Sequence, residues 1–242
     1  MPDLHWWQWG VGALCAFLIG VAKSGIPGLG MAAVPLMILA VGNARSSIAW
    51  LLPILIFADL MALYFWRRHA DVRVLLRLAP WVLVGFVAGA LALSLDEAYL
   101  RPTIAIVVLG MLAIYLIRRF WPDLISGSLP PAPYGFAGGF STTVANAAGP
   151  VMNIYLLSMK LPKEQFMGNT VWFFFIINLM KVPVYTWHGL FTAQSLAFDA
   201  VLIPAIVIGA LTGRWLFLHI PQPVFEWFVI VSTVVSTLLL FR

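Results

Sequence analysis

The charges of this chain come in short clusters, and the stretches between them are apolar and long. Asp, Glu, Lys and Arg make up 10% of the 242 residues, while the set Ala, Val, Ile, Leu, Met, Phe, Trp, Tyr and Cys makes up 62%. A soluble domain has roughly 25% charged residues and about 45–50% apolar ones. The mean hydropathy is +0.98. A water-soluble globule of this size has too little polar surface here to cover its apolar residues. Disorder is excluded for the same reason, since disordered chains are charged and poor in aromatics. The chain reads as a polytopic membrane protein.

A membrane span needs about 20 mostly apolar residues. Segments of this kind fall near 6–23, 29–43, 47–66, 76–95 and 101–118, and then near 131–146, 148–160, 165–187, 196–216 and 222–241. The second and seventh are short. Each adjoins a Gly/Pro-rich stretch, Lys23-Ser-Gly-Ile-Pro-Gly-Leu-Gly30 and Asn146-Ala-Ala-Gly-Pro150. Hydrocarbon leaves no partner for free backbone groups, so spans are helices or closed barrels. Barrel strands alternate apolar and polar residues, and Thr103-Ile-Ala-Ile-Val-Val-Leu-Gly-Met-Leu-Ala-Ile114 does not alternate. The expected fold is an all-α membrane protein.

Lys and Arg mark cytoplasmic loops before they mark partners. The net charge of +5 is therefore read as topology and not as nucleic-acid affinity. With the Arg67, Arg68, Arg73 and Arg77 loop inside and ten crossings, Arg118, Arg119, Lys160, Lys163 and Arg214 also fall inside, and both termini fall outside. The first residues carry an acid and no base, so 6–22 is expected to be a retained span and not a cleaved signal. The expected location is the cell inner (plasma) membrane. The lone Cys15 builds no disulfide or thiolate metal site.

The chain also matches itself. A shift of 119 residues superposes Gly20 on Gly139, Gly30 on Gly149, Asp59 on Asn178, Leu60-Met61 on Leu179-Met180 and His69 on His188. A shift of 124 then superposes Pro80, Gly85 and Gly89 on Pro204, Gly209 and Gly213. Breaks match breaks. Ten segments make two repeats of five, 1–120 and 121–242, and an odd number of crossings inverts the second against the first. Paired Gly/Pro-interrupted segments in inverted repeats mark secondary transporters, with the site at the repeat interface.

The second break reads Gly138-Gly-Phe-Ser-Thr-Thr-Val-Ala-Asn-Ala-Ala-Gly-Pro-Val-Met-Asn-Ile-Tyr-Leu-Leu157, followed by Phe166-Met-Gly-Asn169 and Asn178-Leu-Met-Lys-Val-Pro183. With the Gly-rich run at 20–30 as its first-half partner, this pattern resembles the TauE/SafE family, the sulfite exporter and permease group, over essentially the whole chain. The resemblance implies transport, mostly export, of small sulfur-containing anions such as sulfite, sulfoacetate and related organosulfonates.

Charges inside a span cost about 2.5–3.5 kcal/mol at the helix centre and are usually functional. Lys181 follows Asn178 by three residues, which puts both on one helix face; it is a candidate anion ligand, or a partner for Asp59. Lys23 sits at the first break, where Ser24, Gly25, Gly28 and Gly30 open a helix start whose free N–H groups suit an oxyanion. It also reads as a positive-inside anchor. At the second break Thr142, Thr143, Gly149 and Asn153 are further candidates; Asn146 is the expected N-cap and a further anion ligand, with Pro150 in the first turn. Asn169 joins them through the family motif. Asp59, the one acid placed deep in a span, is the candidate proton carrier, with a structural pairing as the alternative.

Gly85/Gly89 and Gly209/Gly213 are small-xxx-small pairs that favour close helix packing, within the fold or in a homodimer. No cofactor or metal is expected: His5, His69, His188 and His219 lie near segment ends without ligand spacing, and no P-loop or H-E-x-x-H is present. The expected partners are a small sulfur-containing anion and the lipid bilayer. An anion channel, a carrier for another small organic anion, or a non-transporting intramembrane scaffold are the competing functions.

Overall fold

A computed structural model describes residues 5–42, 44–92, 97–120, 130–145, 147–187 and 189–239. Among them the chain forms ten α-helices and two short 3-10 helices, with no strand. The helices are α1 (Trp6–Ser24), α2 (Ala33–Val41), α3 (Ala44–Trp66), α4 (Val72–Ala92), α5 (Glu97–Phe120), α6 (Pro131–Ala145), α7 (Ala148–Ser158), α8 (Lys163–Trp187), α9 (Ala193–His219) and α10 (Gln222–Leu239). Each of the ten apolar segments is a helix, with ends shifted by a few residues. Regions within α3, α4, α8 and α9 are long and apolar enough by themselves to cross a membrane.

The first break is built by residue chemistry. The α1 helix stops at Gly25, and Pro27 supplies no N–H to continue it. Gly28 takes φ +103°, a left-handed conformation that suits glycine. The chain restarts as a 3-10 turn, Leu29–Ala32, before α2. Gln8 donates to the Ala40 carbonyl at 2.7 Å and the Cys15 thiol to that of Ala33 at 3.3 Å. Contacts climb α1 as they descend α2, so α2 doubles back along α1. At the second break Pro150 occupies the first turn of α7, as expected. The N-cap is Ala147, not Asn146, and it makes no side-chain cap bond. The helix therefore begins one residue later than the sequence reading placed it, and Asn146 lies outside the described residues.

The chain divides into two compact units, Met1–Ala70 with Met167–Phe225, and Asp71–Phe166 with Glu226–Arg242. Each takes helices from both halves of the sequence. In the first unit the core gathers Cys15, Ala16, Ile19, Met37, Leu51, Ile54 and Leu202. Phe198 sits between Trp9 and Trp50, at 4.9 and 5.1 Å between ring centroids.

Glycines decide the closest helix crossings. In the first unit, α1 meets α9 where Gly209 faces the Phe17 carbonyl, Gly20 faces the Ile206 carbonyl and Gly213 faces that of Val21. In the second unit, α6 meets α4 where Gly85 faces the Phe136 carbonyl, Gly139 faces the Val82 carbonyl and Gly89 faces that of Phe140. A side chain at five of these would collide with backbone, and at Gly89 with the Thr143 side chain. The two crossings correspond residue for residue. Phe17, Gly20 and Val21 map onto Phe136, Gly139 and Phe140 by the shift of 119. Val82, Gly85 and Gly89 map onto Ile206, Gly209 and Gly213 by the shift of 124. The Gly-x3-Gly pairs thus act in packing within each unit.

Candidate functional site

The first unit holds a buried polar cluster. Lys23, on the last turn of α1, reaches Asp59 in α3, Nζ to Oδ1 2.8 Å. The other carboxylate oxygen, Oδ2, accepts a hydrogen bond from Asn178 Nδ2 at 2.7 Å. Asp59 is fully buried and Asn178 is 2% exposed. The Lys23 ammonium also lies 4.2 Å from the Phe174 ring centroid, where the electron-rich face favours a cation. Lys181, one turn beyond Asn178 on α8, is 4% exposed and interacts electrostatically with both Lys23 and Asp59.

Asp59 forms an ion pair with Lys23, which turns inward from the break, and also interacts electrostatically with Lys181. In a low-dielectric interior such charges are strongly felt, and each must be paired or hydrogen-bonded to be tolerated.

Ser24 is the next residue after Lys23. Its carbonyl accepts a hydrogen bond from the Trp66 indole at 3.0 Å. Its hydroxyl is buried and has no partner among the described residues. A buried hydroxyl left unmade costs roughly 1–3 kcal/mol, which a ligand accepting its proton would recover.

Other candidates lie elsewhere. Gly25 abuts Gly213 and is a packing glycine. Gly28 and Gly30 shape the turn into α2. Asn169 is fully buried on α8. In the second unit Thr142 is buried; Thr143 donates to the Gly139 carbonyl at 2.9 Å, and Asn153 donates to Thr233 at 3.2 Å. Gly149 stands at the start of α7, and a Cβ there would meet nothing within 4 Å. Packing therefore gives no reason for glycine at 149, unlike at 20, 85, 139 or 209.

Sequence reasoning missed Asp199. It lies in α9, 6% exposed, with both carboxylate oxygens lacking a partner among the described residues. The signal was present, because the apolar run 196–216 contains it. No group of His, Cys, Asp and Glu among the described residues is arranged to hold a metal ion.

A protein-family model described as "Sulfite exporter TauE/SafE" matches residues 12–240. No curated protein and no solved structure matches the chain.

Proposed function

From the premise that this chain belongs to the TauE/SafE sulfite exporter family, a family of membrane permeases, we propose that it is a secondary transporter exporting a small sulfur-containing anion. Sulfite, sulfoacetate and related organosulfonates are the substrate class. The observation that carries this reading is the Lys23–Asp59–Lys181 cluster, in which two basic side chains share one acid beside the unpartnered Ser24 hydroxyl. An oxyanion entering there supplies the second negative charge and an acceptor for that hydroxyl.

Asp59 is the proposed proton carrier of this cycle. While ionised, it holds Lys23 as an internal counter-ion. Protonation removes that charge and leaves the Lys23 ammonium without its counter-ion, which raises the affinity of the cluster for the substrate anion.

Two inverted repeats, 1–120 and 121–242, rocking around these breaks give alternating access. Three observations support that organisation. The two glycine crossings correspond residue for residue. Asp59 and Asn178, which touch, are separated by the repeat shift of 119. Contacts also advance along α3 from Asp59 to Arg67 as they recede along α8 from Asn178 to Trp172, so the equivalent helices run antiparallel. In the proposed orientation the Arg67–Arg77 loop is cytoplasmic in the inner membrane and both termini are outside.

The test is counterflow of radiolabelled sulfite and sulfoacetate in proteoliposomes, with acetate as control and Lys181→Ala alongside. Saturable counterflow lost in Lys181→Ala is expected. Electrical conductance without counterflow would make the protein a channel, and counterflow of acetate alone would move the substrate outside the sulfur anions.

A further inference from the structure

Asp199 is used by none of this. It is 6% exposed on α9, and neither carboxylate oxygen has a hydrogen-bond partner among the described residues. The helices packed most extensively against α9 are α1 and α3, and Phe225 of α10 meets Phe217 near the far end of α9. The titratable groups of α1 are Cys15 and Lys23; those of α3 are Asp59 and the exposed Tyr64, together with Arg45, whose side chain lies outside the described residues. Lys23 is committed to Asp59, and the Cys15 thiol donates to the Ala33 carbonyl. On α9 itself, Arg214 lies over the Phe65 ring and the His219 ring meets the Trp215 carbonyl. Ser195, one turn before Asp199, spends its hydroxyl on the Thr192 carbonyl.

A carboxylate buried without a partner is not tolerated as a bare charge; it needs a cation. No group among the described residues is hydrogen-bonded to either carboxylate oxygen, and a proton is the cation that neutralises such a group without further ligands.

The position adds to the argument. Phe198 packs on Trp50, and Phe217 packs on Trp66 at 4.4 Å between ring centroids. Helices α3 and α9 therefore run side by side in the same direction. Asp199 is level with Trp50, and Asp59 lies nine residues further along α3, about 13 Å at a rise of 1.5 Å per residue. Two carboxylates staggered along the direction of crossing are the arrangement of a proton relay.

We propose that Asp199 is a second proton-binding site, which takes up and releases H⁺ near the end of the first unit remote from Asp59. The role in coupling rests on the transport reading above; the proton occupancy does not.

The experiment uses the full chain in proteoliposomes. A hydrophobic carbodiimide adds only to a carboxylic acid that carries its proton in apolar surroundings. Mass spectrometry of the peptide containing position 199 is expected to show the adduct at neutral pH, and less of it as pH is raised. Asp199→Asn is expected to lose most acid-driven anion flux while keeping the wild-type thermal shift with substrate. An unlabelled Asp199 would overturn the proposal, as would acid-driven flux that survives in Asp199→Asn or flux driven by a sodium gradient alone. If the wild type moves no sulfur anion, the transport reading fails and labelling alone still decides whether Asp199 holds a proton. Should Asp199→Asn not fold, labelling of the wild type decides the same question.

Discussion

Asn178 donates a hydrogen bond to Asp59 across 119 residues of sequence, and 119 is also the shift that matches the segments around Gly20, Gly30 and Asp59 to those around Gly139, Gly149 and Asn178. Two equivalent positions of a twofold repeat touch only where the axis passes between them. The bond therefore marks the place where the proposed repeats meet, and Asp and Asn there are alternative occupants of one environment.

That equivalence makes a swap informative. Asp59→Asn alone leaves the buried Lys23 ammonium without its counter-ion, at a cost of about 3–5 kcal/mol. Asn178→Asp alone places a second carboxylate against the first. The double variant, Asp59→Asn with Asn178→Asp, restores one acid and one amide and brings the charge back beside Lys181. Thermal unfolding in detergent should show the double variant more stable than either single one. Additive losses would mean that the two positions are not interchangeable.

The glycine crossings should respond as a matched pair. Gly20→Val and Gly139→Val each drive a side chain into the facing backbone, and overpacking of this kind costs about 1–3 kcal/mol or more. Gly10→Ala and Gly110→Ala, where a Cβ meets nothing within 4 Å, are the controls. Both valine variants are expected to lose stability by similar amounts, with the controls at or slightly above wild type. A large loss at one crossing with none at the other would break the correspondence.

Ser24→Ala separates a ligand contact from a structural one. The hydroxyl has no partner among the described residues, so removing it should leave the ligand-free protein as stable as before or slightly more so. The rise in melting temperature given by a sulfur anion, which follows RT ln(1 + [L]/Kd), should shrink. An unchanged anion shift would take Ser24 out of the site.

Gly149→Ala tests the second break by the same logic. Alanine is better than glycine in a helix by roughly 0.5–1 kcal/mol, and there is room for its methyl group. The unliganded variant should melt above wild type. If position 149 is kept open for an approaching anion, counterflow should fall in the same variant. Higher stability with undiminished counterflow would assign the glycine no role in transport.

Much of the chain was legible in its residues. All ten segments were readable because each hides its backbone in its own helix, a local property that hydropathy reports. The breaks were readable because Pro27 and Gly28 cannot extend a helix, and Pro150 can only begin one. Lys23, Asp59, Asn178 and Lys181 stood out because charge and amide groups are rare inside apolar runs. Their partners were not legible. Lys23 was read as an anchor or an anion ligand, yet its inward turn from the end of α1 gives Asp59 an ion pair. Asn146 was expected to cap α7, and the cap falls on Ala147. The isolation of Asp199 was invisible in sequence, since only the packing of α1 and α3 against α9 shows that nothing reaches its oxygens.

By itself the sequence determined that the chain is helical and membrane-embedded, because hydropathy and helix-breaking residues are written one residue at a time. Which basic group meets which acid, which glycines are packing and which leaves open space, and which buried oxygen is left unpaired were decided only by the tertiary structure. Those are properties of groups brought within about 3–4 Å from distant parts of the chain, where the energy of a charge or a methyl group depends on every neighbour at once.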